Sequence, residues 1–184
     1  MRCRAWSASG IAALAMLCLM GAPSLGAKGV REHDVKAAFV LNFARFVEWP
    51  PEAFGGVNAP FVIGIVGDDP FGDALEGTML QQQVKGRTIQ LRHYAEDGDF
   101  GECHILFFSR SLATRVEKLL IRLRGLPVLT VGETEAFVLK GGGIGFLVKD
   151  GNVRFDINAR VAKSTGLKFS SKLLAVARSV HDAP

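Results

Sequence analysis

Cysteine is scarce in this sequence: three in 184 residues, at Cys3, Cys18 and Cys103. Two of them fall in an N-terminal stretch in which Arg2 and Arg4 precede an apolar run, Ile11 to Met20, and then the small residues Gly21-Ala22-Pro23-Ser24-Leu25-Gly26-Ala27. Charge, short apolar run and small residues in that order form the pattern of a secretory signal peptide. The run is about half the roughly 20 residues a membrane-crossing helix needs. Residues 1–27 are therefore expected to be a signal peptide cleaved near Ala27, and residues 28–184 a single domain in the periplasm. Lipid attachment at Cys18 is the weaker reading, because Leu17 in front of it is too large. Cleavage leaves Cys103 as the one thiol, so no intramolecular disulfide framework is available.

Excess charge is lacking too. The formal charge of +4 falls to +2 once Arg2 and Arg4 depart, and the remaining Lys and Arg are scattered among acids. A protein that neutralises nucleic-acid phosphates needs a clustered basic surface, so nucleic acid is excluded as a partner. No histidine among His33, His93, His104 and His181 stands at helical spacing from another or from Cys103, which leaves no metal site and no cofactor signal. No Gly-x-Ser-x-Gly elbow surrounds a serine, so a hydrolase triad has no nucleophile. No catalytic residue is assigned, and the chain is read as non-enzymatic.

What is present alternates in type. Val35, Ala38, Phe39, Val40, Leu41, Phe43, Phe46 and Val47 predict a helix over 33–48 that is apolar nearly all round, with Lys36, Asn42, Arg45 and Glu48 as its polar positions, stopped by Trp49-Pro50-Pro51. Such a helix buries more than one side, in its own fold or against a partner. Short β-rich runs follow at 61–66, 88–92, 104–108 and 128–131. Helices are expected between them: one through about Gln81, one over 112–124 and a short one over 133–139. Lys149-Asp150-Gly151-Asn152 between the runs 144–148 and 153–157 predicts a hairpin. Helices over 158–165, closed by Gly166, and over 170–180, capped by Ser170, complete the chain. The fold class is α/β: a three-layer sandwich with a mostly parallel sheet of five to six strands, helices on both faces, and the C-terminal hairpin as an antiparallel edge.

Gly64-Ile65-Val66-Gly67-Asp68-Asp69-Pro70-Phe71-Gly72 lies where many α/β proteins bind phosphate, but the glycine spacing is wrong and two aspartates occupy the place of the anion. It reads as a turn and helix cap. The same aspartates suggest a phosphorelay receiver, yet the later strand ends in Ser109-Arg110, with no acceptor carboxylate. Cys103 ahead of His104-Ile105-Leu106-Phe107-Phe108 reads as a core thiol; a reactive or intermolecular thiol, or a thiol enzyme, stays open beside it.

The stretch Val35 to Pro50, the block Ile63 to Gly72, Cys103 to Phe107, Val128 to Gly132, and Val153 to Asn158 running on to Ser170-Ser171-Lys172-Leu173-Leu174 together resemble the YfiR-like family of periplasmic proteins. The resemblance implies a regulator that dimerises and represses a membrane-bound diguanylate cyclase through its periplasmic sensor region, until an outer-membrane-associated protein sequesters it. Relief of repression raises cyclic di-GMP and biofilm formation. The disulfide of the C-terminal half known in the best-studied branch has no counterpart here, since residues 104–184 hold no cysteine. Candidate partner or ligand contacts are Asn42, Arg45, Trp49, Arg110, Asn158, Ser171, Lys172 and Arg178. For Trp49 an interface anchor and a core position both stand. The alternative function is a small-molecule binding module with its ligand at the strand ends near Asp68, Ser109-Arg110 and Gly132, anchored by Arg110.

Overall fold

A computed structural model describes residues 31–182; the expected signal peptide and its cleavage point lie outside the described residues. In chain order the elements are α1 (Glu32–Phe46), β1 (Val47–Glu48), β2 (Phe61–Val66), α2 (Asp73–Met79), β3 (Gln83–Val84), β4 (Arg87–Tyr94), β5 (Ile105–Phe108), α3 (Val116–Arg122), β6 (Leu129–Gly132), β7 (Ile144–Lys149), β8 (Asn152–Asn158), α4 (Ala159–Thr165), β9 (Lys168–Phe169), α5 (Ser171–Val176) and β10 (Ser179–His181). Eight strands form one sheet in the order β10-β8-β7-β6-β5-β2-β4-β3, and β1 pairs with β9 apart from it. The sheet is parallel except at the β7–β8 hairpin and the β3–β4 pair.

The alternating in-and-out direction of strand side chains sorts the core into two layers. Phe61, Ile63, Ile65, Ile105, Phe107, Leu129, Val131, Phe146 and Phe155 face α1 and α2. Val62, Val66, Leu106 and Phe108 face α3, whose Val116, Leu119 and Leu120 cover them together with Leu123 just after it. On the first side Phe39 and Phe43 of α1 meet Phe155 edge to face, with ring centres 5.2 and 5.0 Å apart. Asn158 caps α4 by accepting from the Arg160 N–H, Gly166 ends that helix in the left-handed region, and Ser170 caps α5 by accepting from the Leu173 N–H.

The predicted α/β sandwich is the observed class, with differences at the ends of elements. α1 stops at Phe46 because Val47 and Glu48 turn extended to pair with Phe169 and Lys168. The helix is not buried all round: Lys36 is inside, whereas Ala38, Arg45 and Phe46 face solvent. The predicted helix over 112–124 is a 3-10 turn at Arg110–Leu112 followed by α3, and the one over 133–139 is a 3-10 turn at Glu135–Phe137. The last helix ends at Val176, and Ser179–His181 runs as β10 beside β8, so the hairpin is not the sheet edge. Here pairing with a waiting strand overrides local helix propensity. With β10 and the two-residue β3 the sheet has eight strands rather than five to six.

Candidate functional site

Consecutive strands β4 and β5 lie on opposite sides of β2, so the chain reverses its winding at β2. At such a point α/β folds leave a crevice beyond the strand carboxyl ends. Here those ends carry Gly67-Asp68 after β2, Ser109-Arg110-Ser111 after β5, and Glu133 after β6. Gly67 has φ +87°, and a Cβ at that position would lie 2.5 Å from Ser109 Oγ, so only glycine lets the turn pass. The Ser109 and Ser111 hydroxyls are 2.7 Å apart, and the Asp68 N–H donates to Ser111 Oγ at 3.2 Å.

Helix α1 completes this end from above. Lys36 is 3 % exposed, and its Nζ donates to Glu133 Oε1 at 2.8 Å and meets Glu32 Oε1 at 2.5 Å. Glu133 is itself buried and accepts the Arg110 backbone N–H on Oε2 at 3.1 Å. The hydrogen bond from Lys36, opposed by partial burial, holds the Glu32 carboxyl below its ordinary pKa. The two buried charges, Lys36 and Glu133, are met by each other, by Glu32 and by the Arg110 N–H. The space left among Phe108, Ser109, Ala113, Val116, Glu133, Thr134 and Phe137 is about 10 Å³, room for no more than a single water. That space is not lined by Asp68, Arg110 or Gly132, and Arg110 is exposed.

The opposite, amino end of β5 is built differently. Cys103 is buried in the α3-side layer, its Sγ 2.8 Å from the Ile105 carbonyl, and burial pushes its pKa up to about 12. A thiol so protonated is a poor nucleophile. His104 is buried on the other side, between the rings of Phe54 and Phe61 at 4.5 and 4.7 Å. Its Nδ1 accepts the Val62 N–H at 3.0 Å, so the proton of the neutral ring sits on Nε2, which has no hydrogen-bond partner. Burial first, and then the Arg87 charge, lower its pKa to about 4.

The sequence candidates do not converge on one place. Trp49 is in the core, donating from Nε1 to the His104 carbonyl at 3.2 Å, which is the core alternative for that residue. Asn158 is also internal: beyond capping α4 it donates from Nδ2 to the Val138 carbonyl. Arg178 clasps the buried Asp156 with two nitrogens and reaches Glu135 at 2.8 Å, which raises its pKa. Asn42 is half-buried on α1. Arg45 is exposed and bonded to Gln82 at 2.6 Å. Ser171 and Lys172 are exposed at the start of α5, which the Ser170 N–H ties to the Phe46 carbonyl at the end of α1. Arg45, Ser171 and Lys172 therefore flank one junction, with half-exposed Phe46 between them, while Arg110 lies at the far strand ends.

Lys36, Glu133, Asp156 and the paired role of His104 were missed by sequence reasoning. A signal existed for Lys36, a cation set among apolar positions four residues after Glu32. Glu133, immediately after an apolar strand, gave a second one.

Comparison with known proteins gives a match to a family model described as YfiR/HmsC-like, covering residues 33–178. No curated protein matches the chain.

Proposed function

Because this chain belongs to the YfiR/HmsC-like family, we propose that it is a periplasmic regulator that acts by contact, repressing a membrane-bound diguanylate cyclase through the cyclase's periplasmic sensor region. Repression lowers cyclic di-GMP and biofilm formation, and an outer-membrane-associated protein relieves it by sequestering the regulator. The family match over 33–178 is the observation that carries this reading. The site chemistry accords with it. Behind the strand ends Lys36 and Glu133 are buried and paired with each other. The thiol of Cys103 is buried and held protonated.

Repression by docking needs the regulator to prefer the inactive form of its target by a few kcal/mol. The exposed surface at the α1–α5 junction, Arg45, Phe46, Ser171 and Lys172, supplies an aromatic flanked by polar groups for that contact. The test is deletion of the gene with cyclic di-GMP measured in the cell. A rise reversed by the wild-type gene, with capture of a diguanylate cyclase from solubilised membranes, supports the proposal. Unchanged cyclic di-GMP with no captured cyclase defeats it.

A further inference from the structure

At the amino ends of β2 and β5 lies an open-mouthed cavity of about 460 Å³ whose lining includes Ala53, Ala59, Pro60, Val62 and the buried His104. Its volume is in the range of about 300–1,000 Å³ in which proteins hold small ligands, on mostly apolar walls with few polar groups. Phe54 and Phe61 cover the two faces of the His104 ring, and the Val62 N–H occupies Nδ1. The edge left to line the cavity is the one that carries Nε2. That nitrogen holds the proton of the neutral ring and is an unused donor on a side chain only 3 % exposed. The Ala53 carbonyl favours the charged ring from nearby but makes no hydrogen bond with Nε2. A buried donor without an acceptor is costly, and an acceptor that comes from outside recovers the cost.

We propose that this cavity binds a small uncharged molecule whose carbonyl oxygen accepts the His104 Nε2–H while its apolar body rests on Ala53, Ala59, Pro60 and Val62. The charges of the lining select that class. Arg92 is committed to Glu102 at 2.7 Å and to Gln90 at 3.0 Å, so its guanidinium is not free to hold an anion. Glu52 and Glu102 outnumber it, which leaves the lining negative. A cation, in turn, meets a donor at His104 where it needs an acceptor. Nε2 is itself out of solvent contact, and the wall beside it is the segment 51–60. One side chain ties that segment to β4: Arg87 Nη1 donates to the Gly56 and Ala59 carbonyls at 2.9 and 2.6 Å, and its guanidinium lies 4.1 Å from the Phe54 ring centre. Ala53 and Phe54 both belong to the segment, so its outward shift uncovers Nε2 and leaves β2 and β5 in place. The site is at the opposite end of β5 from Arg110 and needs no partner protein, so it stands or falls separately from contact-based regulation.

The probes are benzamide, benzoate and benzamidine, near-isosteres that are neutral, anionic and cationic at neutral pH, titrated into nitrogen-15-labelled processed protein. Imidazole nitrogen–proton correlation spectra should show His104 as the Nε2–H tautomer. Benzamide should move that signal and the Ala53 and Val62 amides, and should bind about tenfold more tightly than either charged probe. Gly55 lines the cavity, and a Cβ added there meets nothing within 4 Å. Gly55→Leu should therefore narrow the cavity, weaken benzamide about tenfold and leave the urea midpoint unchanged. A His104 proton on Nδ1, or a His104 signal that benzamide at its solubility limit does not move, overturns the proposal. Tighter binding of benzoate or benzamidine overturns the uncharged class, and binding undiminished in a folded Gly55→Leu protein overturns the cavity as its place.

Discussion

The carboxyl and amino ends of β5 bury polar groups by opposite means. Beyond its carboxyl end, Glu133 and Lys36 are both charged, both inside, and matched by each other, by Glu32 and by the Arg110 N–H. At its amino end His104 stays neutral, gives one nitrogen to Val62, and leaves the other unmatched between two phenyl rings. Ions enter a core only when compensated on every side, because an isolated buried charge costs several kcal/mol. A neutral imidazole with flat aromatic neighbours tolerates one unmet donor at smaller cost. One end thus depends on pairing, the other on staying uncharged, and each can be broken separately.

The largest effect is expected from Lys36→Ala, which strands the buried Glu133 carboxylate. Breaking a buried pair from one side costs about 3–5 kcal/mol, read as a lower urea midpoint. Adding Glu133→Gln keeps an acceptor for the Arg110 N–H and removes the unpaired charge, so Lys36→Met with Glu133→Gln should unfold later than Lys36→Met alone. A loss below about 1 kcal/mol for Lys36→Ala would put the pair in the class of exposed surface bridges.

At the amino end the same question is asked with protons. The unfolded chain takes up a proton on His104 near the ordinary value of 6.5, whereas the folded protein resists until about 4. Between those values the unfolded state holds more protons, so stability falls as pH drops from about 6.5 to about 4 and its His104 part is level outside that window. The contribution is on the order of 3 kcal/mol. His104→Gln retains an acceptor for the Val62 N–H without titrating, so its urea midpoint should fall less steeply over the window than that of the wild type. Parallel pH profiles would show that the charge state of His104 does not govern this end.

How much of this was legible follows from range in sequence. The parallel strands and the hairpin were readable because apolar runs and Asp150-Gly151 are local signals. The cap at Ser170 and the stop at Gly166 were readable for the same reason. β10 was not, since Ser179 to His181 becomes a strand only through pairing with β8 some twenty residues earlier. Lys36–Glu133 was hidden more deeply, spanning 97 positions. No periodicity reports such a contact. Gly142 shows the same limit: a Cβ there would lie 2.1 Å from the Phe137 ring, a close approach that no local pattern announces.

Cys103 gives the smallest expected effect and the sharpest contrast with its neighbour. Both residues are 3 % exposed, but the thiol faces the α3-side layer and is uncharged without strain, so burial works in its favour. Cys103→Ser keeps the volume nearly constant and leaves a hydroxyl that can donate to the Ile105 carbonyl, which Sγ now contacts. The loss should be about 1 kcal/mol, with no change in alkylation by iodoacetamide of the native protein, since the buried thiol is already unreactive. Repression of cyclic di-GMP should persist in the Ser variant. A fully folded Cys103→Ser protein that no longer represses would move the thiol from the packing of β5 into the regulatory chemistry, and would make the amino end of β5, not the α1–α5 junction, the centre of function.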